Sequence, residues 1–142
     1  MKTPVKIALF VVFFIALGGI LAALYMYNLK HKDLQKVKPD FVITAIALQK
    51  EFEDNEVTAT KKYINEVLEI SGTIESVKTG EGNILSVSLK TGSDFSTVIC
   101  TFPETTDPAK FKTDNQITIR GECSGFLMDI LLNNCTVIEN QK

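Results

Sequence analysis

From Ile7 to Tyr27 the chain runs 21 residues without a formal charge. At about 1.5 Å of rise per helical residue, such a run reaches roughly 30 Å, the thickness of a bilayer's hydrocarbon core. A single N-terminal transmembrane helix is therefore the expected first element. A cleaved signal peptide fits less well, because its apolar region is typically ~7–15 residues long and ends on small residues. This run closes instead on Leu24, Tyr25, Met26 and Tyr27. Inside it Gly18 and Ala22 stand four apart, as do Gly19 and Ala23, which lines one helical face with small residues and permits close helix packing in lipid. The two tyrosines precede Lys30, His31 and Lys32, an aromatic belt followed by cations at headgroup level.

Charge divides the chain in two. Up to Pro39 six lysines face only Asp33, a balance of +5, whereas from Asp40 onward nine basic residues face sixteen acidic ones, a balance of −7. An acidic domain with a single arginine, Arg120, is a poor match for nucleic acid, whose binding draws on Lys and Arg displacing counterions from phosphates. The chain thus reads as a short tail and anchor over 1–27, a lysine-rich juxtamembrane linker with Pro39 over 28–40, and one small domain over 41–142. Roughly 100 residues suffice for one core and no more. Lys2 and Lys6 before the anchor are outnumbered by Lys30, Lys32, Lys36 and Lys38 after it, which favours a cytoplasmic domain. A short tail running at once into an apolar segment is the arrangement of an uncleaved signal anchor, which exports the chain on its C-terminal side. The expectation is a single-pass inner-membrane protein with its domain in the periplasm.

Within the domain the periodicity changes twice. Thr44 is a candidate N-cap for a helix that places Ala45, Leu48 and Phe52 on one face, and a second helical piece spans Glu56 to Lys62. From Ile64 to Val77 Leu68, Ile70 and Ile74 alternate with polar residues, the period of a half-buried strand, and Gly72 inside it marks a bulge or tight bend. Further strands come over Ile84–Lys90, Phe95–Phe102, Gln116–Cys123 and Met128–Ile138. Asp107 and Pro108 begin a short helix to Lys112 between the third and fourth strands. This mainly-β order, a helical lead-in and five strands with a bent first strand and a short helix after the third, predicts an OB-fold barrel. An SH3-like barrel or a meander on a helix is the alternative.

The residues exclude more chemistry than they suggest. The lone histidine, His31, lies in the linker, so nucleophilic catalysis of the Ser/His or Cys/His type has no base in the domain. Cys100, Cys123 and Cys135 lack any CxxC unit, which argues against structural zinc, and no cofactor is expected. In an oxidising compartment Cys123 and Cys135, or Cys100 with one of them, are the candidates for a disulfide. Asp129, set between Met128 and Ile130, reads chiefly as a strand-end or turn-capping carboxylate. The usual OB ligand face offers Lys78, Asn83, Ser86, Ser88, Lys90, Phe95, Thr97 and Phe126. Phe95 and Phe126 are placed to stack on bases, but Lys78 and Lys90 make a thin basic groove.

Three runs together resemble a known family: Val67-Leu-Glu-Ile-Ser-Gly-Thr-Ile74, Val98-Ile-Cys-Thr-Phe102, and Gly121-Glu-Cys-Ser-Gly-Phe-Leu-Met-Asp-Ile-Leu-Leu-Asn-Asn-Cys135. With the upstream Phe52-Glu-Asp-Asn55 and Tyr63, residues 40–139 are similar to the bacterial tRNA-anti-like OB-fold envelope proteins. The resemblance implies an OB barrel in the bacterial envelope and secures no activity. Many members look like lipoproteins, whereas here no cysteine precedes Cys100, so the apolar segment is expected to do the anchoring. The functional expectation is a non-catalytic, membrane-anchored binding or scaffolding module that engages another envelope or membrane protein. A binder of single-stranded nucleic acid or oligosaccharide is the alternative.

Overall fold

The uncharged run forms one helix, α1, over Thr3–Leu29. It belongs to a computed structural model that describes residues 3–29 and 33–139 and divides into two units, Met1–Lys32 and Asp33–Lys142. Lys2, Lys30, His31 and Lys32 fall outside the described residues. Pro4–Asn28 is long and apolar enough to cross a membrane, and its large side chains are exposed, Phe10 and Ile15 among them. A Cβ built on Gly18 or Gly19 meets nothing within 4 Å, so this face of the helix is unpartnered in its own unit.

The second unit is a closed barrel of five strands, the predicted OB architecture. Its strands are β2 (Val67–Thr79), β3 (Leu85–Leu89), β4 (Val98–Phe102), β5 (Gln116–Phe126) and β6 (Ile130–Val137). They pair in the circuit β2–β3–β4–β6–β5 and back to β2, antiparallel except for the parallel β4–β6 pair. Closure depends on β2, which is long enough to serve both neighbours: Val67–Thr73 pairs with β5, and Ile74–Thr79 pairs with β3. The ladder shifts between Ile74 and Ser76, a bulge three residues beyond the glycine that the sequence marked. Gly72 itself serves close approach, since a Cβ there would lie 3.1 Å from that of Ala45 and 3.4 Å from that of Leu89.

Alternation puts Leu85, Val87 and Leu89 of β3, and Val98, Cys100 and Phe102 of β4, inside the barrel, with Ser86, Ser88, Ile99 and Thr101 outside. Helix α2 (Ala45–Asp54) packs its buried Ala45, Leu48 and Phe52 on the barrel core, and Thr44 caps it by accepting from the Ala47 N–H at 3.2 Å. Helix α3 (Glu56–Tyr63) runs to Tyr63 and is capped by Asn55. The segment after β4 closes as a single 3₁₀ turn, Pro108–Lys110, capped by Asp107 as predicted but shorter than the expected helix.

Three features depart from the sequence reading. A sixth strand, β1 (Phe41–Thr44), lies parallel to the first half of β2. The strand expected from Phe95 begins only at Val98, because residues 90–97 form a loop in which Thr91 donates to the Ser96 carbonyl. The stretch read as an exposed linker is in part packed down: Leu34 is 2% exposed, and Arg120 donates to the carbonyls of Leu34, Gln35 and Val37 at 3.1, 3.1 and 2.7 Å.

Candidate binding surface

The outer surface of β2, β3 and β4 is the face an OB-fold offers to ligands. Register places Ser76 beside Ser88 and Lys78 beside Ser86, and across the next ladder Ser86 beside Thr101 and Ser88 beside Ile99. The result is a shallow strip of half-buried hydroxyls with one cation, Lys78, at its margin. At the far end of the Lys78 strand, Asn83 closes the β2–β3 turn with φ +63°, next to Gly82 at +69°. A short polar side chain tolerates that backbone, so Asn83 serves the turn.

Four of the expected contact residues are differently employed. Lys90 is ion-paired with Asp114 at 2.6 Å, which raises its pKa through that hydrogen bond. Phe126 stacks on Phe52 with ring centroids 4.8 Å apart and interplanar angle 25°, so it packs against the core instead of offering a free stacking platform. Thr97 donates its backbone N–H and its hydroxyl to Asp129 Oδ1, at 2.7 and 3.0 Å, which gives Asp129 the strand-end capping role read from the sequence. Phe95 is 83% exposed, but it lies in the β3–β4 loop and not on the strand face.

Arg120, the one arginine, is engaged as well. Its guanidinium holds Glu69 Oε2 through Nη2 at 2.5 Å and Nε at 3.2 Å, while Nη1 takes the three carbonyls of residues 34–37. Both side chains are largely shielded, at 13% and 20% exposure. A rigid fork suits this double duty better than an ammonium would. Neither the Glu69 pairing nor the carbonyl contacts had a signal in the sequence beyond the rarity of arginine.

The three cysteines are free, buried thiols. Bulges between Arg120 and Glu122 and between Cys123 and Gly125 put Cys123 opposite Leu132 and not Cys135, whereas the Cys100 thiol of the alternative pairing lies beside that of Cys135. Burial pushes the Cys123 thiol up to about 11 and holds that of Cys135 well above its ordinary value, with the Cys100 thiol beside it acting in the same direction. Thiols so poised are weak nucleophiles at neutral pH. Near α3, Glu51 accepts from Lys62 at 2.9 Å and from the Tyr63 hydroxyl at 2.8 Å, and its pKa is lowered by those two bonds. Among the described residues no group of three or more His, Cys, Asp or Glu side chains is arranged to hold a metal ion.

The sequence profile of the tRNA_anti-like family matches residues 1–137, so the match includes the apolar helix as well as the barrel. No curated protein sequence matches the chain. Among solved structures, a lipoprotein from Klebsiella pneumoniae that is conjectured to bind nucleic acid superposes with TM-score 0.55 at 17% identity, over 68% of this chain and 91% of that one. Yeast Stn1–Ten1 gives 0.44 at 14% identity, over 75% and 66%. An asparaginyl-tRNA synthetase from Entamoeba histolytica gives 0.44 at 10%, over 74% and 25%. At these identities the likeness to the Klebsiella protein is one of fold.

Proposed function

Since the chain belongs to the tRNA_anti-like family and folds as an OB barrel, we propose that it is a non-catalytic binding module, anchored in the inner membrane by α1, whose ligand is another envelope or membrane protein. One observation carries this reading. Lys90, an expected contact of the ligand face, and Arg120, the one arginine, are each bound to a carboxylate, which leaves Lys78 as the cation at the margin of the hydroxyl strip on a domain of charge −7. Single-strand binders of this fold combine a positively charged groove with stacking aromatics. On the strip described above Lys78 is the cation, and Phe126 packs against Phe52 and the core. The same reading places the domain in the periplasm.

Gentle detergent extraction from native membranes, then affinity capture, is expected to bring down a stoichiometric membrane partner. Recovery of the monomer alone under several mild conditions overturns the reading. A second reading is favoured by the hydroxyl row of Ser76, Ser86, Ser88 and Thr101, which suits a sugar-rich or single-stranded oligomer. Fluorescence anisotropy with oligonucleotides at low and moderate salt separates the two. Binding that weakens steeply with salt signals phosphate contacts and favours the second.

A further inference from the structure

Three large apolar side chains stand out at one end of the barrel: Phe95, Leu127 and Met128 are 83%, 80% and 69% exposed. They sit on two loops that are bolted to each other. Ser96 donates its hydroxyl to the Met128 carbonyl, Thr97 donates twice to Asp129, and the Ile130 N–H donates to the Thr97 carbonyl at 3.0 Å. The Ser96 hydroxyl also lies 2.9 Å from Gln49 Oε1 of α2, so its one proton is shared between that oxygen and the Met128 carbonyl, and the helix joins the same platform. Met128 has φ +100°, whereas the other non-glycine residues at positive φ are Asn or Asp. A bulky residue in that conformation is strained and persists only where its surroundings enforce it. The enforced conformation keeps an apolar side chain in water, which folding alone gives no reason to do.

The rim of this platform is acidic. An open groove of about 410 Å³ runs between Ile46, Lys50, Glu53 and Asp54 of α2 and Gly92 and Ser93 of the β3–β4 loop. Asp94 adjoins Phe95 on the same loop. Glu53 and Asp54 line the groove with Lys50, Glu53 accepts from Gln49 Nε2 at 3.1 Å, and neither these two nor Asp94 is ion-paired among the described residues. An anionic lipid surface would be repelled by such a rim, whereas a cationic protein segment would be attracted to it.

We propose that Phe95, Leu127 and Met128, with the Glu53–Asp54–Asp94 rim, form a docking surface for a segment of a partner protein that carries apolar anchors flanked by Lys or Arg. This rests on the protein-binding reading above and assigns its contact to the loop end of the barrel and not to the hydroxyl strip.

The test places a photoreactive benzoylphenylalanine at Phe95, at Leu127 or, on the hydroxyl strip, at Ser88, in the full chain in its native membranes. The expected result is an adduct from Phe95 and Leu127, and not from Ser88, whose crosslinked peptide contains Lys or Arg beside apolar residues. Combined Glu53→Lys, Asp54→Lys and Asp94→Lys changes are expected to cut its yield at least about tenfold, because like charges now face each other across the contact. An unchanged thermal midpoint confirms that the charge variant is folded. An adduct from Ser88 alone overturns the docking surface while the binding-module reading stands. Adducts to lipid or to a second copy of the chain, or a yield indifferent to charge reversal, also overturn it. Silence at all three positions overturns both readings.

Discussion

At the scale of single residues, Gly121 is the described glycine with the least room for a side chain. A Cβ there would lie 2.6 Å from Cys135 Sγ, 3.2 Å from Leu132 Cδ2 and 3.3 Å from the Asn133 carbonyl oxygen. Gly121→Ala is therefore expected to destabilise the domain by about 1–3 kcal/mol, the usual range for overpacking. Adding Cys135→Ala removes the nearest atom and should recover part of the loss, a coupling that chemical denaturation of the four members of the cycle measures directly. Cys123 makes a second prediction. Its thiol titrates near 9.0 when unperturbed and at about 11 in the folded domain, so between those values the native state keeps a proton that the unfolded chain has lost. Stability must then fall as pH rises through that window. Cys123→Ala is expected to start from a lower stability and to show a shallower decline from pH 9 to 11 in urea midpoints.

At the scale of elements, the clearest dependence is that of the first residues of the domain on Arg120. Replacing it by Met leaves Glu69 largely shielded without its partner and frees three carbonyls. A loss of about 3 kcal/mol is expected, the lower end for breaking a buried pair, and Arg120→Lys should recover little because an ammonium lacks the fork. Thermal melts and faster amide exchange at Val67, whose N–H is held by Asp40 at 2.9 Å, would report it. The elements also show what a sequence can disclose. Strands with clean alternation, such as β3, and helices with capping side chains, such as Thr44 and Asp107, announce themselves, because the signal lies within a few neighbouring residues. β1 does not, since its four residues become a strand only through pairing with Leu68–Ser71, far along the chain. The same holds for the candidate surface. Ser86 and Ser88 were legible from period two, while the employment of Phe126 by Phe52 and of Lys90 by Asp114 depends on contacts that no local pattern encodes. Met128 read as the first residue of an apolar strand, whereas the strand begins at Ile130 and Met128 is left exposed in the turn.

At the scale of the whole molecule, a family profile reaching from residue 1 to 137 makes the apolar helix part of what the family shares. Export of the domain, as proposed, has a direct check. Protease added to spheroplasts is expected to remove the barrel's epitope while leaving it intact in unbroken cells, and protection in both would place the domain in the cytoplasm. The charge division belongs to this scale as well: residues 1–39, on both sides of the apolar run, carry +5 and the rest of the chain −7, and a net negative field disfavours polyanions and favours cationic surfaces.

The Arg120 clasp also decides how the barrel responds to force. A pull arriving along the chain from the N-terminal side meets the three carbonyl bonds of residues 34–37 and the Asp40–Val67 contacts before it reaches β1. Those bonds share the load. β1, paired with Leu68–Ser71 of β2, is the next element that such a pull reaches. A domain clasped in this way resists being drawn out from its N-terminal side.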